Sequence, residues 1–382
     1  MVYLDYNATA PLRPEALEAT INALQDVGNA SSMHLLGREA ATRVDLARRQ
    51  LSSLLNCSPG ELIFTSGATE ANNLALRAAC GRRGTLVTTM VEHPAVLETA
   101  RAVTANDPGS LVLLPVDGDG VVDLEPLLAA VRHRGVSLLS VMLANNETGV
   151  LTDLAPIIKV AREAGVLVHT DATQYVGRLP LDLSNMDVDL LSLSAHKFGG
   201  PQGIGALFIR RGTPLPHRPL LVGGGHERGW RAGTLNVAGI AGLGAAAEAS
   251  RQHLEQEAER VTGLRDALEA GLTSRVPGCR INGARVPRLP GVTSVTFPGV
   301  PADAVLASMP HVAASDGSAC SSGAPSPSHV LLAMGHSRDD ADSTVRFSLG
   351  YGTTVGDIEV ALDATVNAVS RVRSALTVTD GA

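Results

Sequence analysis

The chain has 382 residues, enough for one large core and a smaller second one, because single cores stop growing near about 250 to 300 residues. Apolar residues make up 45% and charged residues 18%, with 39 Gly and 21 Pro, a globular composition that excludes a disordered chain. Only 3% of residues are aromatic and the formal net charge is -7, so platforms for stacking bases are few and direct nucleic-acid binding is not expected.

No apolar run approaches the ~20 residues of a membrane helix. Residues 1–7 enter a strand-like pattern with no basic region followed by an apolar one, so neither membrane insertion nor export is expected. Cys57, Cys80, Cys279 and Cys320 are far apart with no CxxC pair. That spacing points away from a zinc cluster or disulfide framework and toward a reducing cytoplasm, and no metal site is expected. The first three cysteines read as small residues in or near the core.

From about residue 15 to residue 250, amphipathic helical stretches alternate with short apolar strands at 62–65, 85–89, 110–114, 137–143, 167–171, 190–194 and 206–209. This is the pattern of an α/β fold with a mostly parallel sheet covered by helices, and several strands are apolar on both faces, as buried parallel strands are. A long Ala- and Glu-rich helix over 237–274 leads into a smaller α+β unit with strands at 292–297 and 345–348 and a closing helix at 358–376. The stretch 314–327, rich in Gly, Ser, Ala and Pro, reads as a loop free to move. No internal repeat is found.

Three segments carry chemistry. In Asp189-Leu-Leu-Ser-Leu-Ser-Ala-His-Lys197-Phe-Gly-Gly, a lysine ends an apolar strand with Ser194 and His196 beside it. A lysine desolvated next to cationic or polar groups loses its proton readily and forms an imine, although a strand-end lysine by itself is as well read as a solvated surface charge. Asp171 ends another strand 26 residues earlier. A carboxylate there either caps the following turn or holds a pyridinium nitrogen protonated, which makes the ring an electron sink. In Phe64-Thr-Ser-Gly67-Ala68-Thr69-Glu70 a strand turns through small residues into a helix, either a plain N-cap or a phosphate cup. The segment lacks GxxxxGK[ST], so use of a nucleoside triphosphate is not expected.

These segments, in this order, resemble the fold-type I pyridoxal-phosphate enzymes of the aminotransferase class V group. Further runs narrow the likeness: Tyr3-Leu-Asp-Tyr-Asn-Ala-Thr, Asn29-Ala-Ser-Ser-Met-His34, Glu92-His93, Asn145-Asn146-Glu-Thr-Gly, Asp171-Ala-Thr-Gln174, Gly223-Gly-Gly-His-Glu-Arg-Gly, Arg231-Ala-Gly-Thr234, Gly317-Ser-Ala-Cys320 and Arg346-Phe-Ser. Together they span nearly the whole chain and resemble cysteine desulfurases of the NifS/IscS type. The short form also resembles the branch that places sulfur in the DNA backbone.

The resemblance implies pyridoxal 5'-phosphate on Lys197, with His93 stacked on the ring, Gln174 on the ring oxygen and Asp171 on the ring nitrogen. It also implies a phosphate held by the Ala68 N–H, Thr69, Ser194 and His196, with Thr234 reaching over from the partner of a homodimer. Asn146 and Arg346 are implied to bind the substrate α-carboxylate, for which a planar guanidinium fork is suited. The implied reaction converts L-cysteine to L-alanine: the Lys197 amine removes the Cα proton and Cys320, with His93 a candidate for its proton, takes the sulfur as a persulfide. Sulfur then passes to an acceptor protein, in an iron–sulfur, tRNA-thiolating or DNA-phosphorothioating pathway.

The implied division is a large domain over 12–252 and a small domain made of 1–11 and 253–382. One departure is Asn29-Ala30-Ser31-Ser32, where the family often has Asn-Pro-Ser-Ser, which removes a backbone restraint from that loop. A selenocysteine lyase, another class V aminotransferase-like enzyme and a non-enzymatic scaffold are the rival readings; the first two would not need a cysteine on a mobile loop.

Overall fold

The structure is a computed structural model that describes residues 1–80, 84–132, 135–317 and 327–379. Its strands are β1 (Val2–Tyr3), β2 (Leu62–Thr65), β3 (Thr85–Thr89), β4 (Leu111–Leu114), β5 (Val136–Ser140), β6 (Leu167–Asp171), β7 (Leu190–Ser194), β8 (Gly205–Ile209), β9 (Arg280–Ile281), β10 (Val292–Thr296), β11 (Val312–Ala313) and β12 (Thr344–Ser348). Its helices are α1 (Pro14–Gln25), α2 (Leu35–Leu55), α3 (Ala68–Cys80), α4 (Pro94–Val103), α5 (Leu124–Val131), α6 (Leu154–Ala164), α7 (Val237–Arg275), α8 (Ala302–Ala307), α9 (His329–Ala333), α10 (Arg338–Asp342) and α11 (Val355–Thr379).

The expected strands are all present, with ends shifted by a few residues. The stretch expected at 137–143 forms a ladder only to Ser140. Past it, Val141 and Leu143 still donate to His169 and Asp171 of β6, but β3 on the other flank ends at Thr89, so the two-sided ladder stops. The closing helix begins three residues earlier than expected, because Thr354 and Asp357 bond reciprocally through backbone N–H and side chain at its start. Strand β1 falls in the strand-like run at residues 1–7, whereas its partner β11 and strand β9 carry too few residues for an alternating pattern and were not expected.

The main sheet runs β2-β8-β7-β6-β5-β3-β4. Pairings are parallel from β4 to β7, and β8 is reversed between β7 and β2, so β2 points the same way as β7. Strands β2 and β7 are buried along their whole length, which is why they read as apolar runs instead of alternating ones. The connections after β2, β3, β5, β6 and β7 leave from one edge of the sheet, the edge where open α/β sheets build ligand crevices.

A second core surrounds the antiparallel sheet β12-β10-β9, with α8 and α11 against it. Helix α7 belongs to both: Ile240, Leu243, Ala246 and Ala247 pack in the large core, and Val261, Leu264, Leu268 and Leu272 in the smaller. The N-terminal residues cross over too, since β1 pairs with β11 and Asp5 bridges to Ser348.

Gly205 shows how the sheet edge is shaped for the crevice. It is paired with Thr65 on one side and Ser194 on the other, and a Cβ there would lie 2.4 Å from the Leu193 carbonyl oxygen and 2.7 Å from the Gly67 Cα. Neither is a flexible side chain, so the backbone would have to move. Gly205→Ala is therefore expected to lower stability by about 1–3 kcal/mol, measured by chemical denaturation.

Candidate active site

A cleft of about 500 Å³ opens at that edge of the sheet. Ala68, Thr69, His93, Asn146, Asp171, Gln174, Ser194, His196, Lys197 and Arg346 all line it, although they come from elements distributed over 279 residues of chain (68 to 346). Thr234 does not line it and is exposed. Cys320 lies outside the described residues.

Asp171 ends β6 buried. Its Oδ1 accepts from the Thr173 N–H at 2.9 Å, which is the turn cap read from the sequence, and its Oδ2 accepts from Asn72 Nδ2 at 2.8 Å. Two residues back on the same face of the strand, His169 is fully buried between the hydroxyls of Ser140, 2.8 Å from Nδ1, and Ser192, 3.0 Å from Nε2. Burial pulls the His169 imidazole down to about 4 against the pull of Asp171, so it stays neutral behind the carboxylate. His93 caps α4 through Nδ1, which accepts from the Ala95 N–H at 3.0 Å. Burial lowers its pKa, with Asp171 opposing and Lys197 and His329 adding to the fall.

Lys197 follows β7 in a single 3-10 turn, and its Nζ donates to the backbone carbonyls of Asn7 at 2.6 Å and Ala8 at 2.8 Å. Neighbouring His196, 3.2 Å from the Thr9 hydroxyl, is held down to about 4, first by burial and then by the charges of Lys197 and Arg178. A neutral imidazole beside Lys197 offers a hydrogen bond without adding a second fixed charge.

Arg346, in the middle of β12, is 2% exposed. Its Nη1 donates to the Asn146 carbonyl at 3.0 Å and its Nη2 to Asp5 Oδ1 at 2.9 Å. Two anchors on one guanidinium fix the plane of the fork, while its Nε is buried without a partner among the described residues.

At the other end of the cleft, α3 opens with Ala68 and Thr69 after Gly67. Glu70 folds back to accept from the Ser66 N–H at 2.7 Å and pairs with Arg231 at 3.1 Å. Ser194 Oγ is 3.6 Å from where a Cβ on Gly67 would sit, so the small residue leaves open space between the helix start and the serine. A helix N-terminus, two hydroxyls and a neutral histidine around such a space suit a phosphate group.

A cofactor's polar atoms would also find partners in the cleft. Asn72 Oδ1, Asn146 Oδ1, Thr173 Oγ1, Gln174 Oε1 and Arg346 Nε are buried, unpartnered among the described residues, and belong to side chains that line this one cleft. Each unsatisfied buried polar atom costs about 1–3 kcal/mol, so their convergence is the mark of a site built for a polar occupant. The residues present fit a flat, phosphorylated pyridine, with Asp171 for a ring nitrogen and the α3 start for the phosphate.

The aminotransferase class-V family model matches residues 2–360. The chain belongs to this family. A cysteine desulfurase of Trichormus azollae is 41% identical over 98% of this chain and 94% of its own length. Among solved structures, a NifS-like protein superimposes with a TM-score of 0.88 at 35% identity, covering 97% of this chain and 99% of its own. SspA, solved in complex with cysteine, has a TM-score of 0.81 at 31% identity, covering 92% and 99%. Among the described residues of this class-V chain, no group of His, Cys, Asp and Glu is arranged to hold a metal, and no helix is long and apolar enough to cross a membrane.

Several residues that shape the site were not singled out from the sequence. Asn7 is the main one: its carbonyl accepts from Lys197 and, at 3.1 Å, from Gln174 Nε2. Its side chain donates to the Asn146 carbonyl at 2.9 Å and accepts from Arg178 Nη1. Asp5, Asn72 and Glu92, though they stand in runs that carry the resemblance, were likewise given no task, and Arg178 was not singled out. Asp5 and Asn7 stand in the N-terminal run and Glu92 precedes His93, but a buried polar residue looks the same in sequence as an exposed one. Glu92 is 0% exposed; Oε1 accepts from the Met142 N–H and the Thr89 hydroxyl, each at 2.9 Å, and Oε2 has no partner among the described residues.

Burial raises Glu92 to about 8, with Asp171 adding to the rise. The folded protein therefore binds a proton there that the unfolded chain has lost, and this contribution to stability disappears as pH rises from the ordinary carboxylate range through about 8. Glu92→Gln, which is neutral at every pH, is expected to become steadily more stable relative to the parent between about pH 5 and about pH 9 in denaturation titrations. A flat difference would show that Glu92 is ionised in the fold.

Proposed function

We propose that this chain is a pyridoxal-phosphate-dependent cysteine desulfurase that converts L-cysteine to L-alanine and carries the sulfur away on Cys320. The observation that carries the reading is the convergence on one cleft of Lys197, Asp171 and Arg346 with five buried polar atoms that lack partners among the described residues. The family match, the desulfurase relative and the neighbour solved with cysteine support the same substrate.

Pyridoxal phosphate, when bound, supplies an electron sink for the pair released at the substrate Cα. Asp171, held on both oxygens by Asn72 and the Thr173 N–H, would hold the ring nitrogen. His93 and Gln174 would flank the ring, and Ala68, Thr69, Ser194 and His196 would hold the phosphate. Arg346, whose fork is fixed by Asn146 and Asp5, receives the substrate carboxylate on its remaining N–H groups, with Asn146 beside it. The Lys197 amine takes the Cα proton. The Cys320 thiolate then bonds to the substrate sulfur, the Cβ–S bond breaks with its electron pair going to carbon, and protonation of that Cβ together with return of the Cα proton from Lys197 gives alanine. The balance is L-cysteine plus the Cys320 thiol to L-alanine plus the Cys320 persulfide.

The site is completed in a homodimer. Leu17, Ile21 and Leu24 lie exposed along α1, and Val27, Met33, Leu35 and Leu36, which follow in the chain, are exposed as well. Such a surface is covered in a stable soluble protein, and a second copy is its occupant. Thr234 follows a glycine-rich segment anchored where Glu227 takes the Phe64 N–H at 2.8 Å and pairs with Arg48 at 2.5 Å, and it is exposed to reach the partner's phosphate cup. Cys57, Cys80 and Cys279 are unpaired by disulfides, in keeping with a reducing compartment. The persulfide passes to an acceptor protein, in an iron–sulfur, tRNA-thiolating or DNA-phosphorothioating pathway.

Three variants test the reading in the cofactor-loaded protein. Cys320→Ser is expected to keep the cofactor absorbance and lose persulfide and alanine formation from cysteine; sulfur release at the parent rate would overturn the role of Cys320. Lys197→Ala is expected to lose the lysine-linked absorbance and all turnover. Arg346→Ala, which removes charge-assisted hydrogen bonds, is expected to raise the KM for cysteine by about 10- to 100-fold.

A further inference from the structure

One buried carboxylate next in the chain to the cleft residue Asn146 has no part in the chemistry just described. Glu147 is 4% exposed, in the turn Asn145–Thr148, and the turn itself is fixed: Asn145 Oδ1 accepts from the N–H groups of Glu147 at 2.8 Å and Thr148 at 3.0 Å, and Asn145 Nδ2 donates to the Val91 carbonyl at 3.0 Å. The carbonyl of the preceding residue, Asn146, is the one that holds Arg346.

The side chain of Glu147 meets two stretches of chain that are adjacent to Cys320 in sequence, one on each side. The Ser328 hydroxyl donates to Glu147 Oε2, and the same hydroxyl caps α9 by accepting from the Leu331 N–H at 3.1 Å. On the other side, Gly317 packs its backbone on the carboxylate: a Cβ there would sit 3.1 Å from Oε2, and its φ of +81° favours glycine. The Gly317 N–H donates to Ser315 Oγ at 3.2 Å, and Ser315 exchanges two backbone hydrogen bonds with Arg346, at 3.1 and 2.6 Å. Both flanks of the Cys320 segment thus end on Glu147, and one of them ends on the backbone of the substrate-carboxylate arginine as well.

We propose that Glu147 is a positioning residue for sulfur transfer, fixing the two chain segments that flank Cys320 to the Asn146–Arg346 end of the cleft where the substrate carboxylate is bound. A buried carboxylate is costly, and burial does push this one up to about 7, with Ser328 and Arg346 opposing the rise and Asp316 adding to it. A purely structural contact at this point would be served as well by an apolar side chain. The carboxylate instead offers one acceptor oxygen on which a hydroxyl from one flank and a backbone turn from the other both converge.

The proposal rests on the desulfurase reading and is tested within it, by single-turnover mixing of cofactor-loaded protein with L-cysteine. Persulfide on Cys320 is followed by mass spectrometry, and cysteine affinity by cofactor absorbance. Glu147→Ala and Ser328→Ala are each expected to slow persulfide formation by about ten-fold or more while leaving cysteine affinity within about two-fold, and the double variant is expected to be no slower than Glu147→Ala alone. Glu147→Gln, which keeps an acceptor oxygen for Ser328, is expected to recover most of the rate. Unchanged rates, a parallel loss of cysteine affinity, or additive effects in the double variant would each overturn the proposal. Should Glu147→Ala fail to fold, Ser328→Ala and Gly317→Ala disturb the same junction from its two other sides and decide the matter by the same readouts. A parent protein that makes no alanine from cysteine would instead sink the desulfurase reading.

Discussion

The backbone carbonyl of Asn7 accepts from both Lys197 and Gln174, and much of the cleft depends on that junction. Lys197 lies past the end of a strand in the large core, while residues 2–5 belong by pairing to the smaller one. The N-terminal segment crosses from one core to the other carrying an acceptor for the lysine amine, and its side chain reaches Asn146 and Arg178 on the way. The lysine is thereby aimed and partly desolvated by groups that carry no net charge. Arg178 donates to the carbonyls of Tyr6, at 3.1 Å, and Lys197, at 3.3 Å, so the same arginine secures both sides of the crossing.

Around that junction the electrostatics are arranged by burial more than by ion pairing. His169 and His196 are both pulled down to about 4 and stay neutral near neutrality, and Glu92 is pushed up to about 8 and keeps its proton. Asp171 is bordered by His169 and Glu92 and by the amide of Asn72, and its carboxylate faces the cleft. At the far end Arg346 is paired with Asp5 and backed by a carbonyl, so its positive charge is oriented before any substrate arrives. The cleft therefore has a negative point and a positive point held apart on separate strands, which suits a ring cation at one and a carboxylate at the other.

Much of this was legible in the sequence, for identifiable reasons. Apolar runs bounded by glycines and polar turns mark buried parallel strands, and Asp171, Ser194 and Lys197 stand at the ends of two of them, where the fold class places its crevice. What stayed hidden were residues whose role is set by burial. Asn7, Asn72 and Glu92 are ordinary polar letters in sequence, and no local periodicity distinguishes a buried amide from a solvated one. The resemblance to desulfurases covered the runs in which they stand without assigning them a task.

By itself, then, the sequence determined the layered α/β architecture, the lysine and aspartate at strand ends and the family to which the chain belongs, because strand patterning and ordered motifs are local and survive without coordinates. Only the tertiary structure decided which polar groups converge. Helix α7 spanning both cores, the crossing of residues 5–9 and the contact of Glu147 with Gly317 and Ser328 all join parts of the chain far apart in sequence. Hydrogen bonding and desolvation act over a few ångströms of space, not of chain, and only the fold brings those ångströms together.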